Sequence, residues 1–129
     1  QFEFKAGKVV NFSADKGREN LEHYFSVDGQ SAYLGEIALV DGSSPIFQAD
    51  KLFHSILLDE NASCHMALGS GLPMAWQGGE YMEQDELLAA GCNIALQHTD
   101  FMIGSDEIDV TGYAGEKETP LLRAGRFVI

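Results

Sequence analysis

The stretch Ile94–Gly104, IALQHTDFMIG, has the two-residue period of a strand, and in a strand residues two apart point the same way. His98 and Asp100 therefore share one face, an imidazole beside a carboxylate, with the apolar run Phe101-Met102-Ile103 directly after them. A His and an Asp drawn into a buried strand need partners. The alternation continues downstream through DEIDVTGY (106–113) and PLLRAGRFVI (120–129), with a turn at Ala114-Gly115. Together these stretches predict a sheet at the C-terminal end.

Working outward, ASCHMALG (62–69) reads as a strand and MEQDELLAAG (82–91) as an amphipathic helix ended by Gly91, with the glycine-rich loop GSGLPMAWQGGE between them. KLFHSILLDE (51–60) fits neither period cleanly and is read as a short helix. YLGEIALV (33–40) is a strand that stops at the turn DGSSP. At the start, FEFKAGKVVNFSA (2–14) is a β-hairpin turning at Gly7. A helix then carries Leu21, Tyr24 and Phe25, capped by Asp15 or Ser13 and broken at Asp28-Gly29. The fold class is α+β with a mainly antiparallel sheet. No repeat or linker divides the chain, so residues 1–129 are expected to behave as one unit.

Three features set the candidate chemistry. His98 and Asp100 form the H-x-D pair already described. Glu60 and His65, in DENASCH, need a bend at Asn61-Ala62-Ser63 to act together. Glu36 sits in the middle of an otherwise apolar strand, where a carboxylate is costly without a cation or an edge. Glu36, Glu60, His65, His98 and Asp100 make three carboxylates and two imidazoles, a donor set suited to zinc, cobalt or manganese and to a two-metal hydrolase. His23 and His54 are read as structural or exposed, and Cys64 as a small buried hydrophobe. The glycines at 69, 71, 78 and 79 lack the Lys-Ser/Thr ending of a phosphate loop.

Charge narrows the partners. A formal net charge of -12 with no Lys/Arg cluster repels a phosphate backbone, so neither nucleic acid nor an anionic membrane is expected as a partner. Two cysteines are too few for a disulfide framework, and no long apolar run or signal peptide is visible, which points to a cytoplasmic protein. The chain opens at Gln1 inside a strand pattern without an initiator Met, and the expectation is a piece of something longer.

FEFKAGKVVNFSADKG, LGEIALVDGSSPI, LLDENASCHMALG, HTDFMIGSDEIDVTG and RAGRFVI occur in this order over essentially the whole chain. In order and spacing the sequence resembles the C-terminal part of the catalytic domain of the thermophilic-type metalloaminopeptidases. That resemblance implies an exopeptidase that removes N-terminal residues from peptides with two divalent metal ions, zinc, cobalt, manganese or magnesium. It makes Glu36, Glu60, His65, His98 and Asp100 metal-site residues, with the water-activating base left open between Glu36 and Glu60. It also implies a further ligand upstream of Gln1 and little activity in the piece alone. Surface uncovered by the missing part, with Phe2, Phe4, Leu72 and Trp76 as candidates to lie on it, predicts self-association as a homodimer, the assembly the resemblance also implies. One departure is visible: Leu72 stands where the family carries a tyrosine thought to assist the transition state. This favours the alternative of a non-enzymatic relative kept for dimerisation or partner binding.

Overall fold

The computed structural model describes residues 1–129. Its strands are β1 (Phe2–Lys5), β2 (Lys8–Phe12), β3 (Leu34–Ala38), β4 (His65–Gly69), β5 (His98–Met102), β6 (Val110–Ala114), β7 (Lys117–Arg123) and β8 (Arg126–Phe127). Its helices are α1 (Arg18–Val27), α2 (Pro45–Ala49), α3 (Ile56–Asp59) and α4 (Gln84–Ala89). The strands form three small sheets, β1-β2, β3-β4-β5 and β6-β7-β8, so the class is α+β. Two compact units divide the chain, one of residues Gln1–Glu36 and Ala67–Asp100, the other of Ile37–Met66 and Phe101–Ile129.

The first unit begins with the expected hairpin. Both turn residues, Ala6 (φ 49°) and Gly7 (φ 77°), are left-handed, which matches the twist of the strands they join. Phe2 pairs with Phe12 and Phe4 with Val9. The Phe25 ring of α1 lies 5.1 Å from Phe12 and 6.4 Å from Phe2, and Phe4 lies 6.2 Å from Phe2. Phe2 and Phe4 are thus half-buried in an aromatic cluster, which corrects the expectation that they lie on exposed surface. Leu72 and Trp76 are exposed as expected.

Neither Asp15 nor Ser13 caps α1. Gly17, left-handed at φ 71°, precedes its first turn instead. The other end is fastened as the sequence suggests, by Asp28: its Oδ1 accepts the N–H groups of Gln30 and Ser31, each at 2.7 Å, and its Oδ2 accepts Leu96 N–H at 2.9 Å. The Leu96 bond most of all, with the two turn amides, holds the Asp28 carboxyl below the usual carboxylate range. In α4 the Glu86 carboxylate reaches back to the Glu83 N–H at 2.8 Å, Leu87 is buried, and Gly91 ends the run at φ 92°.

In the second unit, DGSSP does more than turn. Pro45 opens α2, a helix the sequence reading missed although proline is favoured at a first helical position. The helix expected over Lys51–Glu60 occupies only its second half, as α3, because the Asp59 carboxylate draws the Phe53 and Ser55 N–H groups to 2.8 and 3.0 Å and holds that segment irregular. A 3-10 turn, Glu60–Ala62, follows. The β6-β7-β8 meander is antiparallel, with a left-handed Gly115 in the first turn and left-handed Ala124 and Gly125 in the second. Leu122, fully buried, is its anchor.

The order of β3-β4-β5 places β4 in the centre. Gly69 N–H donates to Tyr33 O and Val40 N–H to Cys64 Sγ, so β3 and β4 run antiparallel. Ser70 N–H donates to Gln97 O and Ile103 N–H to Cys64 O, so β4 and β5 do too. β4 is the most buried strand, with His65, Ala67, Leu68 and Gly69 all inside.

Candidate metal centre

Two glycines let the first unit's strands close up. A Cβ on Gly35 would stand 2.4 Å from Ser70 O, and one on Gly69, at φ 98°, would stand 2.0 Å from Gln97 O. Only residues without side chains fit there. The residues that follow these contacts are Glu36, next to Gly35, and His98, next to Gln97. They meet: His98 Nε2 lies 3.3 Å from Glu36 Oε2 and 3.4 Å from Asp100 Oδ1.

Hydrogen bonds fix which nitrogen faces the carboxylates. His98 Nδ1 lies 2.7 Å from Ser70 O, and a carbonyl only accepts, so Nδ1 carries a hydrogen and Nε2 is the nitrogen turned toward the two acids. His65 repeats the arrangement, with Nδ1 3.0 Å from Ser63 O. A ring that donates through one nitrogen to a carbonyl and presents the other is the usual posture of a metal-ligating histidine.

Within the first unit, Glu36 Oε2 and Asp100 Oδ1 thus flank the same nitrogen of His98. Donors around one ion with bonds of about 2.1 Å stand ~3–4 Å apart. The Asp100 side chain is 5% exposed and its Oδ1 is buried without a hydrogen bond. A buried carboxylate oxygen left without a donor is expensive, and a cation relieves it. The residues present therefore fit a divalent ion, through carboxylate oxygens and imidazole nitrogens.

Three of the five predicted residues, Glu36, His98 and Asp100, meet within the first unit, and His65 lies in the second with its own ring pinned by Ser63 O. Glu60, also in the second unit, stands half-buried at the head of its 3-10 turn. Sequence reasoning missed the supports, Ser70 and Ser63, because they work through backbone carbonyls, which leave no mark on residue type. It missed Tyr24 as well. On the core face of α1, its Oη donates to Leu68 O in β4 at 2.8 Å, and burial pushes its hydroxyl pKa up.

Comparison with known proteins finds aminopeptidases similar to this chain over nearly its whole length. Aminopeptidase 2 of Geobacillus stearothermophilus is 41% identical over 125 residues, covering 96% of this chain and 30% of its own length. Aminopeptidase T of Thermus aquaticus is 38% identical over 127 residues, covering 98% of this chain and 31% of its own length. The solved structure of wild-type AmpT from Thermus thermophilus superposes with a TM-score of 0.81 at 37% identity, over 99% of this chain and 31% of that one. The chain thus spans about three tenths of the length of the curated relatives it matches. The model of the family described as thermophilic metalloprotease (M29) matches residues 1–127, and this chain belongs to that family.

Proposed function

We propose that this chain carries metal-site residues of an aminopeptidase that hydrolyses the N-terminal peptide bond of peptides, using two divalent ions drawn from zinc, cobalt, manganese or magnesium. The observation that carries the reading is the pair of imidazoles pinned at Nδ1 by backbone carbonyls, with His98 presenting Nε2 to two carboxylates. Bound divalent ions supply Lewis-acid polarisation of the scissile carbonyl and a water acidic enough to attack at neutral pH. Glu36, His65, His98 and Asp100 hold the ions. Glu36 or Glu60 takes the proton of the attacking water. The setting is cytoplasmic, in keeping with two free cysteines, and the assembly a homodimer without nucleic acid or membrane. No helix is long and apolar enough to cross a membrane.

Leu72 favours a second reading, a relative that keeps the metal site and serves in dimerisation or partner binding. It is 40% exposed just beyond the strand that carries His65. Peptidase assay of the longer protein on short peptides separates the two readings, with release of N-terminal residues expected for the enzyme.

The metal site is tested on this chain by titration with Zn²⁺ or Co²⁺ alongside Asp100→Ala. Losing a ligand should weaken binding by about 100-fold or more. The metal-free variant should unfold at the same or higher denaturant concentration, because a buried oxygen without a donor has been removed. Equal metal affinity in the two proteins would sink the reading.

A further inference from the structure

One peptide group links His98 to Asn93. The peptide between Ser70 and Gly71 offers its carbonyl to His98 Nδ1 at 2.7 Å, and its N–H donates to the Asn93 carbonyl at 2.6 Å. The preceding peptide, between Gly69 and Ser70, is held at both ends too. Its N–H donates to Gln97 O at 2.7 Å, and its carbonyl accepts the Asn93 side-chain amide, which also donates to Gln30 O at 2.9 Å. Asn93 thus grips both peptides that flank Ser70, one with its side chain and one with its backbone.

We propose that Asn93 is a positioning residue of the metal centre: it orients the Ser70 carbonyl, which holds His98 in the tautomer whose Nε2 is free to ligate. The inference rests on His98 being a metal ligand, as set out above. Two physical effects support it. The first is geometric. Gly69 is left-handed and Gly71 is tight against Cys92, where a Cβ would lie 3.0 Å from Sγ, so the backbone here turns sharply and its carbonyl directions depend on what holds them. The second is electronic. A peptide whose N–H is already donating has a more polarised carbonyl, and the chain Asn93 O to Gly71 N–H, then Ser70 O to His98 Nδ1–H, strengthens each member. A firmer bond at Nδ1 makes Nε2 a better donor to a cation.

Asn93→Asp keeps the shape and removes the donor, placing a carboxylate against the Gly69 carbonyl. The tautomer can be read without metal, from the ¹⁵N spectrum of the imidazoles at alkaline pH. In the unmutated 129-residue chain both His65 and His98 should carry the hydrogen on Nδ1. In the variant His98 should shift toward the Nε2–H form while His65, resting on Ser63 O, does not. Zn²⁺ affinity should fall about 10- to 100-fold, the range for losing an outer-shell support.

His98 keeping its Nδ1–H form in Asn93→Asp, or showing the Nε2–H form in the unmutated chain, overturns the proposal. A chain with the expected tautomers but no affinity for Zn²⁺ overturns the metal reading and leaves the role of Asn93 in holding Ser70 intact. If Asn93→Asp does not fold, His98→Ala reads the same chain from its other end. The Gly71 amide proton should then move upfield as its carbonyl loses the imidazole donor, and an unmoved proton overturns the proposal.

Discussion

The β3-β4-β5 and β6-β7-β8 sheets have the same strand number and are made by opposite means. The meander is local: each strand follows its neighbour through a short turn with left-handed residues, and the sheet encloses one fully buried side chain, Leu122. The other sheet gathers strands from residues 34–38, 65–69 and 98–102, far apart in the chain, and each pairing must overcome the entropy of closing a long loop. The proposed ligands Glu36, His65, His98 and Asp100 all stand on the strands of the non-local sheet. Turn chemistry can build structure cheaply, but bringing ligands from separate segments to one point needs strands that meet at close quarters. In this protein glycines at the crossings permit it.

The sharpest way to break that contrast is to add one methyl group to each sheet. Gly69→Ala forces a Cβ to within 2.0 Å of Gln97 O at φ 98°, whereas Gly115→Ala, at φ 63°, meets nothing within 4 Å. The first should lose about 3 kcal/mol or more, the second only ~1 kcal/mol from its backbone conformation. Urea unfolding of the two variants decides it. Equal losses would mean that close approach is not what distinguishes the sheets.

The same contrast explains what could be read in the sequence. Both hairpin regions, the end of α1 at Asp28 and the stop of α4 at Gly91 obey rules that span a few residues, and they were legible. His98 with Asp100 was legible from strand parity alone. The approach of Glu36 to His98 was not, because no spacing encodes which strand pairs with which, and residue type only nominated Glu36 as an anomaly. Asn93 and Ser70 carried no signal, since one works partly and the other wholly through main-chain groups. The cap of α1 failed for a different reason: two good capping side chains lay close by, and the chain used a left-handed glycine.

A smaller effect sharpens the comparison from the meander's side. Leu122→Ala removes the fully buried side chain of β6-β8, which should cost about 3 kcal/mol, toward the middle of the range for large-to-small core changes. Because none of the proposed ligands lies on these strands, Zn²⁺ affinity of the folded variant should match that of the unmutated chain. A loss of affinity as large as that of a ligand variant would show that the meander, too, shapes the centre.

The smallest effect concerns how the meander's last strand is fastened. Asp41 accepts Ser43 N–H at 2.6 Å through Oδ1 and Phe127 N–H through Oδ2, with the Arg126 guanidinium 3.8 Å away. The Ser43 hydroxyl first, then the Phe127 and Ser43 amides, hold its carboxyl down at about 2, against an ordinary 3.8. A depressed carboxyl stabilises the fold only while it is ionised. The contribution is therefore complete above pH 3.8 and is lost as the pH falls through about 2. Asp41→Asn keeps the shape but turns an amide N–H₂ toward backbone donors. The thermal midpoint of the native chain should exceed that of the variant by a constant margin from neutral pH down to about pH 5, and the margin should shrink from there to pH 2. A margin that holds steady or widens in acid would mean that Asp41 acts through shape alone, and that β8 is held by its turn rather than by this carboxylate.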